Sequence, residues 1–412
     1  MENAHVSAKK GLLWYVTAGP IALAALMFSV YVGPGFASGT LTVAYFLTKG
    51  SIGVFIGPII LGVLTFFWCL LTFEFSRVYR PANYREQSDM TYRNPVLRWL
   101  LGLYADLITN LGLFLLIAVM VNGAANLLQS VLGIPMLAGT VLFAACVLII
   151  TMRGIKLVVK VSSALTVFII AIIVYLAVVG IVPVWDKIAA FAGGNIPPSE
   201  FGFSPVMAWV IILGFTVSWV CGRPAVVPAC LEGLRRRADV LAASAATALF
   251  MTLGNLVFTM VLSAGMPEVT KEPIPVLYML ENVLRVSSVS RVLYFVIALA
   301  AMLSTGIGMI YGTEVRFHNR FKKLIKVKND VLVRLIFNVI LISLCMIVSR
   351  FGIIAIINRG YVLLTTLAGP LMFYILFFAI PWRMLRDKKN KAGPYAEEGP
   401  GNGSAEPPAG GN

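Results

Sequence analysis

Val32-Gly33-Pro34-Gly35-Phe36-Ala37-Ser38-Gly39 lies in the middle of the first hydrophobic segment of the chain, roughly Gly11 to Leu47. Three glycines and a proline fall within seven residues there. Proline removes a backbone donor and clashes with the preceding turn. Each glycine weakens a helix by about 1 kcal/mol relative to alanine. In hydrocarbon every freed N–H or C=O needs a partner. Two readings stay open. Neighbouring helices repair the break, which is then a plain proline kink, or the loose groups face a ligand. Discontinuous helices at mid-membrane depth are where secondary transporters hold substrates and ions.

Composition sets the class. The 412 residues are 59% hydrophobic and 12% charged, with mean hydropathy +0.89. That is a polytopic membrane protein. The five cysteines, Cys69, Cys146, Cys221, Cys230 and Cys345, lie in or beside apolar runs without metal-ligand spacing. They read as reduced packing residues. Both histidines, His5 and His318, fall outside the core segments, which argues against a histidine-built metal site or proton relay. No nucleophile–base pair and no Gly-x-x-x-x-Gly-Lys loop is present, so an enzyme is not expected and neither is a cofactor. The apolar run after Lys9 and Lys10 is too long for a signal peptide and reads as a retained first span.

Ten candidate spans follow the apolar runs: 14–47, 51–77, 98–131, 134–152, 157–184, 204–231, 240–265, 289–314, 331–350 and 357–382. Each is close to the ~20 residues a bilayer requires. With the N-terminus in the cytoplasm, 25 of the 33 lysines and arginines fall in inner segments and seven in outer ones; Arg223 is the remaining one. This asymmetry places both termini inside. The +15 charge is then topological, with anionic lipid headgroups as its partner and no nucleic acid. The expected organisation is a cytoplasmic N-terminus (1–13), a first five-helix repeat (14–184), an extracellular loop (185–203), a second five-helix repeat (204–385) and a disordered cytoplasmic tail (386–412). The expected location is a bacterial cytoplasmic membrane. Oligomeric state is not legible.

A second interruption stands in the sixth span, at Ser218-Trp219-Val220-Cys221-Gly222-Arg223-Pro224. Five plus five spans make two odd-numbered halves, which enter the membrane from opposite sides. Matching broken helices then cross antiparallel near the midplane, the pattern of an inverted repeat with its site between the repeats.

On these residues the chain resembles the amino acid–polyamine–organocation superfamily with the LeuT fold. The opening Gly33-x-Gly35-Phe36-Ala37-Ser38-Gly39 looks most like the bacterial YkvI-type family. The resemblance covers about residues 12–385 and implies an all-α protein of ten transmembrane helices, a 5+5 inverted repeat with helices 1 and 6 broken. Gly33-Pro34-Gly35 is similar to the first-helix break of sodium-coupled members. By that alignment Ser29 and Val32 offer carbonyl oxygens to Na⁺. Ala301-x-x-Ser304-Thr305 is similar to their sodium motif, with the Ala301 carbonyl and the Ser304 and Thr305 hydroxyls as ligands. Phe215-Thr216-Val217-Ser218 resembles their pocket-lining segment, with Trp219 beside it and Gly222 at the unwound turn. Arg223 departs from the sodium-coupled carriers, and only Asn255 offers a loose counterpart of a second sodium site.

Read from the residues alone, several of these positions keep alternatives. For Ser304 and Thr305 the alternative is a bond from each hydroxyl to the carbonyl one turn back. Arg223 either binds a substrate carboxylate, acts as a fixed cation, or pairs with an acid and the broken backbone. Glu74 resembles a second-helix glutamate that accepts from the broken sixth helix; the alternative is interfacial snorkelling toward Arg77 and Arg80. Asp106 and Asn110 share a helix face near the inner end and read as gate or surface groups. Val276 to Leu284 reads as an amphipathic cap helix.

The expected function is secondary active transport of a small organic solute, an amino acid or related zwitterion, coupled to Na⁺. Its contacts would be Gly33, Pro34, Gly35, Phe36, Phe215, Ser218, Trp219, Gly222 and Arg223. The alternatives are an H⁺-coupled or uncoupled carrier with Arg223 as fixed cation, or a solute-sensing receptor subunit of the same fold.

Overall fold

The computed structural model describes residues 19–31, 34–152, 174–194, 196–215, 226–227, 230–231, 233–390 and 394. Among them every regular element is helical. The first apolar segment forms α1 (Pro20–Tyr31), α2 (Pro34–Ala37) and α3 (Thr40–Tyr45). Then come α4 (Ile52–Tyr79), α5 (Tyr84–Thr91), α6 (Pro95–Leu132) and α7 (Met136–Met152). After the described end of the fifth span follow α8 (Trp185–Gly193), α9 (Pro205–Phe215) and α10 (Arg237–Ser263). The chain closes with α11 (Pro275–Tyr278), α12 (Ser288–Ile325), α13 (Asp330–Ser349) and α14 (Ile353–Lys389).

Six of these helices are long and apolar enough to cross a bilayer: α4, α6, α10, α12, α13 and α14. α7 and α9 are shorter apolar helices. At 1.5 Å per residue, the 38 residues of α6 reach about 57 Å, well beyond a ~30 Å hydrocarbon core. Asn94 starts α6 by accepting from the Val96 and Leu97 N–H groups. The sides of these helices that face away from the protein are apolar at helical spacing. Ile56, Ile59, Val63 and Phe67 are exposed on α4, and Leu363, Leu367, Leu371 and Phe378 on α14. Such stripes suit lipid and would be untenable in water. The molecule is a polytopic helical membrane protein.

Two connections carry helix that sequence pattern did not reveal. α5 lies inside the loop expected after the second span. Asn83 caps it by accepting from the Arg85 and Glu86 N–H groups, and Glu86 accepts from the Ala82 N–H. This is a reciprocal cap. Residues 185–203, read as a plain loop, contain α8, whose Ile188 and Phe191 are buried one turn apart. The cap segment after Pro275 is helical through Val283, finishing in a wide π-type turn over Met279–Val283.

α10 packs along α4 and α1. α6 packs against α7, α12 and α13, while α9 lies on α14. α12 touches both α1 and α2. The pieces of the first segment are therefore wedged between α10 on one side and α6 and α12 on the other. Most of the expected fifth span and the 218–224 interruption lie outside the described residues.

Candidate functional site

The first segment is interrupted at Ser38-Gly39. Gly39 takes φ +88°, and a Cβ there would stand 3.0 Å from Pro275 Cβ and 3.1 Å from Leu262 and Val276 side-chain carbons. Only glycine meets both demands. The carbonyls freed by the turn are taken up by distant parts of the chain. The Tyr294 hydroxyl of α12 donates to the Ala37 carbonyl at 2.9 Å, and the Val276 N–H of α11 donates to the Ser38 carbonyl at 3.0 Å. The Ser38 and Thr40 hydroxyls lie 2.8 Å apart. At this turn, neighbouring elements repair the break.

Seven residues earlier in the chain the surroundings are aromatic. Tyr31 closes α1, with its ring 5.3 Å from Phe36 and 5.6 Å from Phe215 between centroids. The two expected substrate residues Phe36 and Phe215 thus meet on either side of Tyr31. Phe36 also packs on Phe258 of α10 at 4.3 Å, and Phe215 on Tyr45 of α3 at 4.4 Å. Polar groups at the edge are held in pairs. The Tyr31 hydroxyl donates to Asn255 Oδ1 at 2.8 Å, and the Tyr45 and Thr365 hydroxyls lie 2.6 Å apart. This is a buried wall of rings with a few fixed hydrogen-bonding handles, drawn from α1, α2, α3, α9, α10 and α14. Such a lining suits a small solute with an apolar body.

On α12, Ala301 and Thr305 are buried, and the Thr305 hydroxyl donates to the Ala301 carbonyl at 3.0 Å. Two of the oxygens expected around Na⁺ are therefore adjacent, in the one-turn back-bond considered above as the alternative. Ser29 belongs to α1 and Ser304 to α12, but their side chains lie outside the described residues, as do Val32 and Gly33 entirely. Pro34 and Gly35 are helical in α2. Ser218, Trp219, Gly222 and Arg223 also lie outside the described residues. Among the described residues no three His, Cys, Asp or Glu side chains converge.

Glu74 and Asp106 are placed at the basic end of the molecule. Glu74 accepts two hydrogen bonds from Arg77 of its own helix, at 2.8 and 2.7 Å. Asp106 does more. Its carboxylate accepts from Arg316 of α12 at 2.6 and 3.2 Å and from Arg85 of α5 at 3.3 Å. Asn110, one turn on, donates to the Tyr84 hydroxyl at 3.0 Å. Burial, followed by the neighbouring Asp106 charge, pushes the Tyr84 phenol up to about 12. A second knot surrounds Asp387, which has no exposed surface. Tyr79 donates to it at 2.8 Å, Arg93 pairs with it at 2.8 Å and Arg383 at 2.9 Å. These knots tie α4, α5, α6, α12 and α14 together where a gate on that side would be.

At the opposite end, Lys49 is 1% exposed in the turn between α3 and α4. Its ammonium donates to the Ala44 carbonyl at 3.0 Å and to the Thr48 hydroxyl at 2.7 Å, and sits 3.5 Å from the centre of the Phe203 ring. No carboxylate pairs with it among the described residues. Burial pushes it down to about 7. Next to it, the Ser51 N–H donates to the Ile196 carbonyl and the Ser51 hydroxyl to Phe191, so the 185–203 segment is fastened over the lysine.

Sequence reasoning passed over Tyr31, Tyr45, Tyr294, Lys49 and Asp387. Tyr31 directly precedes the glycine-proline string, and Tyr294 is one of two phenols in a largely apolar helix; both signals were available. The ring that covers Lys49 and two of the partners of Asp387, Tyr79 and Arg93, are supplied by segments far away in the chain.

No protein-family model and no curated protein matches the sequence. Solved structures do match. A Na⁺-coupled sialic acid symporter in a substrate-bound outward-open state is 13% identical, with TM-score 0.64, over 90% of this chain and 82% of that one. Mhp1, a nucleobase-cation-symport-1 family transporter solved with bromovinylhydantoin bound, is 18% identical, with TM-score 0.59, over 92% and 83%. A manganese transporter of Eremococcus coleocola is 18% identical, with TM-score 0.55, over 90% and 78%. The chain shares with these transporters the LeuT fold.

Proposed function

We propose that this protein is a secondary active transporter of a small organic solute, an amino acid or related zwitterion first, driven by Na⁺. One observation carries the reading. In a fold shared with symporters, the first helix segment is interrupted where it meets α9, α10 and α12. The solute's carboxylate would meet free N–H groups at Gly33 to Gly35, where a half-helix begins. Its apolar body would lie on Phe36 and Phe215, with Ser218, Trp219, Gly222 and Arg223 completing the site.

Na⁺ would sit between the first and eighth helices, on the carbonyls of Ser29, Val32 and Ala301 and the hydroxyls of Ser304 and Thr305. Neutral oxygen donors suit a hard monovalent cation. The described packing of α12 against α1 and α2 supports this location. Closing the site would bring the two helices together around the ion, which links ion binding to solute binding. The sialic acid symporter is Na⁺-coupled by its own description, which favours a cation-driven carrier over a sensor. Both termini would lie in the cytoplasm of a bacterial cell membrane.

The test is reconstitution. A thermal-shift screen of amino acids and related metabolites, with and without NaCl, identifies a ligand, since bound ligand raises stability by mass action. Uptake of that ligand into proteoliposomes should require an inward Na⁺ gradient, and the Ser304→Ala, Thr305→Ala double variant should lose that requirement together with most uptake. Sodium dependence that survives the double substitution would remove the ion site.

A further inference from the structure

A cavity of about 700 Å³ lies at the end opposite the basic one, between the ends of α6, α13 and α14. That volume is in the range of small-molecule sites. Its polar lining comes from two helix faces and a turn. α6 presents Asn122 and Asn126, four residues apart; α14 presents Asn358 and Arg359; and Arg350 stands in the turn between α13 and α14. Gly352, at φ +82°, reverses the chain so that Arg350 and Arg359 border the same space.

The charges are one-sided. Both charged side chains lining the cavity are arginines. Neither guanidinium has an ion pair or hydrogen bond among the described residues, whereas Arg77, Arg85, Arg93, Arg316, Arg334 and Arg383 all pair with carboxylates. Only seven cations fall in the segments expected outside, and two of them meet here. The frame beneath them is rigid. Asn122 is 4% exposed, donates to the Ser349 carbonyl at 2.7 Å and accepts from the Ile353 N–H at 3.1 Å.

Asn358 and Ile354 line the cavity and also line a separate small space of about 10 Å³ whose other wall includes Thr40, Val43 and Pro275. A space of that size is at the limit for one water. The Ser38-Gly39 turn, held by the residue after Pro275, is next to Thr40 in the chain. The acid Glu272 borders the small space and not the cavity.

We infer that this cavity is an antechamber that captures a carboxylate-bearing solute on Arg350 and Arg359 before the solute enters the central site. Planar guanidinium forks match carboxylates two bonds at a time. Asn122 fixes the Asn126 amide nitrogen by accepting from it, which leaves the Asn126 Oδ1 and the Asn358 amide as neutral groups toward the rest of the solute. The inference rests on the carrier reading for the solute's destination, but its test reads occupancy without any transport.

The test is phenylglyoxal labelling of the full chain in phosphatidylcholine nanodiscs, with modification of each arginine followed by mass spectrometry. Succinate should slow labelling of both Arg350 and Arg359 several-fold, and its neutral analogue succinamide should not. In Arg350→Gln, protection of Arg359 by succinate should be lost, and the reverse should hold in Arg359→Gln. Equal labelling with and without succinate overturns the inference. Protection by phosphatidylglycerol nanodiscs but not by succinate also overturns it and assigns the arginines to a lipid headgroup. Protection without any uptake in proteoliposomes would leave the antechamber standing and sink the carrier reading instead.

Discussion

The two ends of this molecule are closed by different chemistry. At the basic end, arginines from α5, α12 and the 92–94 turn converge on Asp106 and Asp387, so carboxylates clamp separate helices together. At the opposite end the buried contacts between elements are neutral hydrogen bonds: Val276 to Ser38, Tyr294 to Ala37, Ser51 to Ile196; an ion pair there, Arg291 with Glu281 at 3.6 Å, is exposed. Three of the cations there, Lys49, Arg350 and Arg359, have no carboxylate partner among the described residues. Paired charges resist opening strongly, because one partner left alone in a dry site costs several kcal/mol. Neutral bonds resist weakly, about 1 kcal/mol net each. A molecule built this way yields first at its neutral end.

That contrast can be broken by experiment. The largest effect is expected from Asp387→Ala, which strands Arg93 and Arg383 beside a site with no exposed surface. Loss of such a pair typically costs ~3–5 kcal/mol, to be read as a drop in detergent-solubilised unfolding temperature. A change no larger than that of an exposed surface substitution would dissolve the clamp idea.

The next effect is a pH dependence at the other end. Burial holds Lys49 down to about 7, against an ordinary 10.5. Between those values the unfolded chain carries a proton on Lys49 that the folded chain lacks. Stability should therefore climb with pH across this window, by at most about 1.4 kcal/mol per unit. The gain is complete above the ordinary lysine value, and below about 7 the group contributes no further slope. Lys49→Met should flatten the climb when unfolding is followed between pH 7 and 9. An unchanged slope in that variant would assign it elsewhere.

The smallest effect sharpens the contrast. Tyr294→Phe removes the donor to the buried Ala37 carbonyl and should cost about 1–3 kcal/mol. It should also raise the reactivity of a cysteine introduced at Thr40 toward a water-soluble maleimide. Higher stability with lower reactivity would mean that the neutral end is not held as described.

The interruption in the first segment was legible because Pro34, Gly35 and Gly39 cannot all sit in a good helix. Its described turn falls at the last of these, Gly39, and that choice depends on Pro275 and Leu262, which no local pattern names. α5 escaped because it is polar, short and carries no apolar stripe; only Asn83 and Glu86 betray it. Asp106 stands out in the sequence from its place near a helix end, as a gate or surface group. Arg316, its strongest partner, lies 210 residues further along and is set by how α6 and α12 pack. Lys49 sits among apolar neighbours and looks like an ordinary loop lysine until Phe203 is seen to cover it.

The turn at Ser38 has one more consequence. Ala37 and Ser38 are gripped by separate parts of the chain, α12 and the α11 segment, so α2 cannot swing without letting go of both at once. Releasing two bonds of about 1 kcal/mol each together would weigh against such a swing by a factor of about 30. The movement is then a click between two positions and not a gradual lean, and a solute that takes over either carbonyl's donor would tip the count.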